Sequence, residues 1–147
     1  ITFLFKLMHN TLITQERLSK TNPTTSIYCK LPGCPGTEKE DTTHALFRCP
    51  GNNGIGAALL RSIQNFVPGL QAEEAIFLDF NVADSLELPI VWAMAVVWSS
   101  LWDLRQKRTR PQLYLVRAQL EAKIALLREC RRFANASATV DTIIATI

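Results

Sequence analysis

Three cysteines and a histidine fall within 21 residues, in the order Cys29, Cys34, His44 and Cys49, with the spacing C-x4-C-x9-H-x4-C. The segment around them, 27–50, begins rich in proline and glycine and holds little apolar material with which to make a core of its own. Thiolates and an imidazole arriving in sequence-close pairs are the donors of a tetrahedral zinc site, with bonds of about 2.3 Å to sulfur and about 2.0 Å to nitrogen. The spacing therefore predicts a Zn2+ ion held by Cys29, Cys34, His44 and Cys49. Pro32 and Gly33 favour a tight turn between the first two cysteines, with backbone amides able to reach the sulfurs. Asp41 is a plausible N-cap for a short helix over Thr42 to Arg48, stopped by Pro50-Gly51, that carries His44 and Cys49. Leu46 and Phe47 then point back into the core, and Glu40 or Asp41 is expected to hold the other imidazole nitrogen. Four protein ligands leave no open position, so the predicted zinc is structural.

The fourth cysteine, Cys130, lies far away in a helical pattern and reads as one spare buried thiol. A metal site with a spare thiol, in place of two disulfides, implies a reducing, intracellular setting. The chain starts at Ile1, which reads as a fragment of something longer, and shows no secretory signal. The longest apolar run, Leu88 to Trp102, is shorter than the roughly 20 residues a membrane span needs, and it reads as a buried core helix. No membrane partner is expected.

Periodicity predicts an all-α chain around the zinc loop. Expected helices cover residues 2–9, a short stretch capped by Thr14, residues 55–67, Glu73 to Leu78, 86–106 and 111–134. The last of these carries a stripe of Leu113, Val116, Leu120, Ile124, Leu127 and Cys130, and Pro111 opens its first turn. The tail, 135–147, has no assignable structure by pattern. Residues 1–53 read as one unit of N-terminal helices and zinc loop, and 54–147 as a helical region packed on it.

Several stretches together resemble a known family: Thr11 to Leu18 (TLITQERL), the paired cysteines, the acidic Glu38-Lys39-Glu40-Asp41, then His44-Ala45-Leu46-Phe47-Arg48-Cys49-Pro50, with Trp98, Trp102 and Arg105 in a W-x-x-x-W-x-x-R arrangement. This order is similar to the zinc-binding domain at the C-terminal end of non-LTR retrotransposon reverse transcriptases. The resemblance implies an accessory domain behind the polymerase domains of the same polyprotein, binding template RNA or target DNA during target-primed reverse transcription, with the nucleus as its place of work. The polymerase aspartate pair is absent, since no Asp-Asp occurs in the chain, and no nucleophile-base set or phosphate-cradling glycine loop is present. The fragment is expected to be catalytically silent.

Net charge is +3, which permits nucleic-acid binding without requiring it. Affinity for nucleic acid comes mainly from cations meeting phosphates. The densest cluster is Arg105, Lys107, Arg108 and Arg110 between the two long helices; Lys30 and Arg48 flank the zinc loop, and these six are the candidate contacts. Arg117, Arg128, Arg131 and Arg132 form a second set on the last helix, interrupted by Glu121 and Glu129, so part of it reads as ordinary surface. The competing expectation is a non-catalytic docking or self-association module in which zinc only stabilises, as the apolar 88–102 helix would favour.

Overall fold

The computed structural model describes residues 12–147; the helix expected over 2–9, with His9, lies outside them. The described chain is all-α. Helix α1 covers Gln15–Thr21, α2 Ile55–Gln64, α3 Ala72–Phe77, α4 Asp84–Gln106, α5 Leu113–Arg128, α6 Arg131–Ala134 and α7 Ser137–Ile144. Among the described residues the only extended pairing is one antiparallel bridge between Tyr28 and Lys39.

Local chemistry explains the boundaries. The Thr14 hydroxyl accepts from the Arg17 amide and starts α1, which satisfies one of the amides a helix start leaves orphaned. In α3 the Gln71 side chain and Glu74 make a reciprocal capping box. α4 ends in a Schellman arrangement: the Thr109 amide donates to the Leu104 carbonyl and the Arg108 amide to the Arg105 carbonyl, each at 2.9 Å.

α4 is the central element, packed on α5, α7, α2 and the turn that carries His44. Its buried residues include Ile90, Met94, Val97, Trp98, Leu101 and Leu104. By length and composition it would suit a membrane span, but 56% of its most apolar stretch is buried inside the fold, and its apolar character is that of a core helix.

The structure corrects several expectations about the C-terminal half. The helix expected to run to residue 134 breaks at Glu129-Cys130, and the chain turns into α6. This reorientation buries Phe133 against Trp92, ring centroids 4.9 Å apart. Cys130 is consequently exposed and not a buried thiol, and Leu113 is also exposed. Pro111 does not open α5 but precedes its cap, Gln112. The tail forms α7, which places Val140 and Ile143 against α4, while the Ser62 hydroxyl of α2 donates to the Ile143 carbonyl.

The metal-loop half is joined to this helical body by close packing. Phe47 meets Trp98 edge-on, with ring centroids 5.2 Å apart and planes at 89°, a favoured aromatic geometry. Gly56 lies so close to the preceding turn that a Cβ there would sit 1.8 Å from the Leu46 carbonyl oxygen. Gly56→Ala is expected to destabilise the domain by about 1–3 kcal/mol, as overpacking against a rigid neighbour does. Chemical denaturation measures this, and an unchanged midpoint would contradict the contact.

Candidate metal centre

The four expected ligands come together. The sulfurs of Cys29, Cys34 and Cys49 and one ring nitrogen of His44 all lie within 4.8 Å of one another. Cys29, His44 and Cys49 are buried and Cys34 is half-buried. The Cys29 and Cys49 sulfurs are 3.7 Å apart, and the Cys34 sulfur is 3.7 Å from His44 Nε2. A tetrahedron with bonds of about 2.3 Å has edges of about 3.8 Å, so this spacing leaves room for one ion at the centre. The set could hold a metal ion.

The local folding that assembles it is readable residue by residue. Pro32 and Gly33 occupy the middle of a type II turn, with Gly33 at φ +87° and the Cys34 amide donating to the Leu31 carbonyl at 3.0 Å. That position requires positive φ, which glycine takes without strain. The amides of Leu31, Gly36 and Gly51 hydrogen-bond Cys29, Cys34 and Cys49 respectively. Such donation spreads the negative charge of thiolates.

The turn expected as an α-helix over 42–48 is instead a π-helix across His44–Arg48, closed by the Cys49 amide donating to the His44 carbonyl at 2.8 Å. At about 100° per residue an α-helix would set His44 and Cys49 about 140° apart. The wider π turn winds less per residue and brings both ligands to one side. Asp41 caps the start, accepting from the His44 amide at 2.7 Å.

Glu38, and neither Glu40 nor Asp41, holds the second imidazole nitrogen: His44 Nδ1 is 2.9 Å from Glu38 Oε2. With Nδ1 donating to that carboxylate, the Nε2 lone pair faces the sulfurs, which is the tautomer a metal ligand needs.

Glu40 has a different task. Buried at 5% exposure, it accepts the Gln15 amide on Oε1 at 3.3 Å and Arg105 Nη2 on Oε2 at 2.8 Å. The same Arg105 nitrogen donates to the Cys29 sulfur at 2.8 Å. Arg105 is itself 7% exposed. Burial disfavours its charge, but the Glu40 carboxylate outweighs this and the guanidinium pKa is raised. The Cys29 and Cys49 sulfurs share a hydrogen bond in which either can donate, and this contact together with burial holds the Cys29 thiol well above its usual range. The same hydrogen bond with Cys29, with help from Arg105, pulls Cys49 down to about 7.

The expected cationic contacts therefore separate. Arg105, counted with the surface cluster, is turned inward and committed to Glu40 and Cys29. Arg48 is exposed, but Asp41 at 3.9 Å and Glu73 at 3.6 Å answer its charge. Lys30, Lys107 and Arg108 are exposed and make no ion pair among the described residues. Lys30 and Arg108 line one cavity. The Arg110 guanidinium lies over Gly33 and donates to Asn53 Oδ1 at 2.8 Å. In the second set, Arg128 pairs with Asp141 at 3.3 Å; Arg131 is exposed, and the Arg132 side chain lies outside the description.

The inward role of Arg105 had a sequence signal. Trp98, Leu101 and Arg105 stand at i, i+3 and i+7 of the apolar helix, which puts Arg105 on the face that the core claims.

No protein-family model matches this chain, and neither a curated protein nor a solved structure does.

Proposed function

We propose that this chain is a zinc-stabilised, catalytically silent nucleic-acid-binding domain, the C-terminal accessory part of a retrotransposon reverse transcriptase that helps hold template RNA or target DNA inside the nucleus. Zinc is the metal that suits three thiolates and one imidazole in a closed tetrahedral set. With four protein donors it has a structural role.

The observation that carries the nucleic-acid reading is the convergence of two distant segments on one surface. Lys30 from the metal loop shares a cavity with Arg108, and Arg110 crosses the loop at Gly33. Lys107 is exposed within the same segment. Cations without carboxylate partners are available to phosphates, whereas paired ones such as Arg48 would first have to break an existing contact. Tyr28, exposed beside Cys29, adds a ring that can stack on an unpaired base. Phe47 is in the core and offers no such surface.

The test is binding of the zinc-loaded protein to structured RNA and to single- and double-stranded DNA across a salt series. Affinity is expected to fall steeply with salt. Replacing Lys107, Arg108 and Arg110 by alanine should make the log-log slope shallower by about one unit per contact removed. Absence of binding at low salt would reject the proposal.

Exposed apolar side chains on α5 favour the alternative, a docking or self-association module. Leu113, Tyr114 and Leu126 of α5 are exposed at 40%, 70% and 72%. Concentration-dependent association without nucleic acid, lost when Tyr114 and Leu126 become polar, would support it.

A further inference from the structure

A cavity of about 220 Å³ lies between α1, the metal loop and the end of α4. Lys30, Arg105 and Arg108 line it, together with Gln15, Leu31 and Glu40. Three cations face one carboxylate there, and that carboxylate is already engaged on both oxygens, by the Gln15 amide and by Arg105.

Arg105 places Nη2 on Glu40 and Cys29, and its guanidinium also has the Cys49 sulfur as a partner. Its Nε and Nη1 are buried and meet no acceptor among the described residues, and Gln15 Oε1 is buried without a donor. Polar atoms left in this condition are uncommon in folded proteins and call for a partner. Rotation of the Gln15 amide would present its NH2 group in place of the oxygen, so Gln15 can donate as well.

Arg108 supplies an independent observation. It occupies the left-handed position that follows a Schellman helix end, at φ +52°. Glycine is the residue that fits this position without strain, and the chain carries there an exposed arginine that is among the residues lining the cavity. The helix end contributes the wrong sign for an anion, but its last carbonyls are closed by the Schellman bonds, and the three cations outweigh what remains.

We propose that this cavity seats one phosphate group, held by Arg108 and Lys30 beside the buried charge of Arg105, with Gln15 as a further donor. The phosphate chemistry stands on the cavity alone. Its assignment to a nucleic-acid backbone, as opposed to a free phosphate ion, rests on the function proposed above.

Titration of the zinc-loaded protein with inorganic phosphate, followed by nitrogen-correlated NMR that includes the arginine Nε–H signals, tests the seat. The Arg105 Nε–H signal is expected to shift saturably. Arg108→Gly should weaken phosphate binding about tenfold while raising the unfolding midpoint by roughly 3 °C, because glycine relieves the left-handed position. A variant more stable yet weaker in binding cannot owe its loss to misfolding. Lys30→Ala, at an exposed position, should also weaken binding.

No saturable shift at Arg105, or an Arg108→Gly protein that binds phosphate as tightly as the native chain, overturns the seat. An RNA salt slope lowered by Lys107→Ala and Arg110→Ala but untouched by Lys30→Ala and Arg108→Gly also overturns it, and leaves the nucleic-acid function standing. Saturable phosphate binding without RNA binding keeps the seat, as one for free phosphate, and rejects that function.

Discussion

Cys49→Ser is expected to abolish stoichiometric zinc binding and to make residues 27–50 the first segment a protease cuts. Structural zinc in small peptides contributes on the order of 10 kcal/mol to folding at neutral pH. The small buried cluster of this segment consists of Cys29, Leu31 and Cys49, with Cys34 packed against it. Three of those four residues belong to the proposed ligand set, so the cluster has almost no apolar content without a bound metal. The effect should spread further, because Leu46 and Phe47 lie between His44 and Cys49 and belong to the main core. Losing the π turn unseats Phe47 from Trp98 and loosens the face of α2 at Gly56. Helix content from α4, α5 and α7 should largely persist in circular dichroism while the thermal midpoint falls. Limited proteolysis with mass mapping, beside a chromophoric zinc assay, measures both. Native-like protease resistance in the variant would sink the metal-dependent account of this loop.

The parts of this structure that were legible from sequence are those whose causes are local. The clustering of the three cysteines and His44 was readable because all four donors lie within one short segment, so chain connectivity alone nearly fixes their proximity. Thr14 as a cap and Pro32-Gly33 as a turn were readable because each depends on one or two residues. The extent of α4 followed from its apolar run. What sequence concealed depends on partners far away in the chain. Glu38 and Glu40 are two residues apart beside the Tyr28–Lys39 bridge, so they are displaced along one side of an extended segment. One reaches His44 and the other reaches Arg105, and nothing in their own chemistry distinguishes them. α7 has no side-chain cap and few strong helix formers, since Thr, Val and Ile dominate its sequence; packing on α4 supplies its stability. The break before α6 is equally non-local, because it exists to bring Phe133 under Trp92. The charged run from Arg105 to Arg110 looked uniform because a run of like charges is usually a solvated face. Its first member follows the helix period into the core and the later ones do not.

That first member carries the second large effect. Arg105→Met is expected to destabilise the domain by about 3–5 kcal/mol, because it leaves the Glu40 carboxylate buried without its cation. Glu40 keeps only the Gln15 amide, and Cys29 loses a charge-assisted donor. Loss of a hydrogen bond to a ligand typically weakens metal binding by about 10- to 100-fold, so zinc should pass to a competing chelator more readily. Arg105→Lys should recover little: Nη2 of the guanidinium serves Glu40 and Cys29 together at 2.8 Å each, and a shorter ammonium side chain lacks that planar reach. The double variant Glu40→Leu with Arg105→Met separates pairing from burial. If the loss comes from an uncompensated charge, the double variant is more stable than Arg105→Met alone, with a coupling of several kcal/mol in the cycle. A loss under about 1 kcal/mol for Arg105→Met would be that of an exposed pair and would refute the buried one. Cobalt substitution adds a readout that general destabilisation does not move, since the sulfur-to-cobalt charge-transfer band responds to the donor on Cys29. Arg105 also sets where the rest of its segment lies. With its head group fixed at the metal loop, Arg108 and Arg110 emerge beside Lys30 and Gly33, so the contact that joins the two halves of the fold is also the one that gathers the proposed phosphate-binding surface.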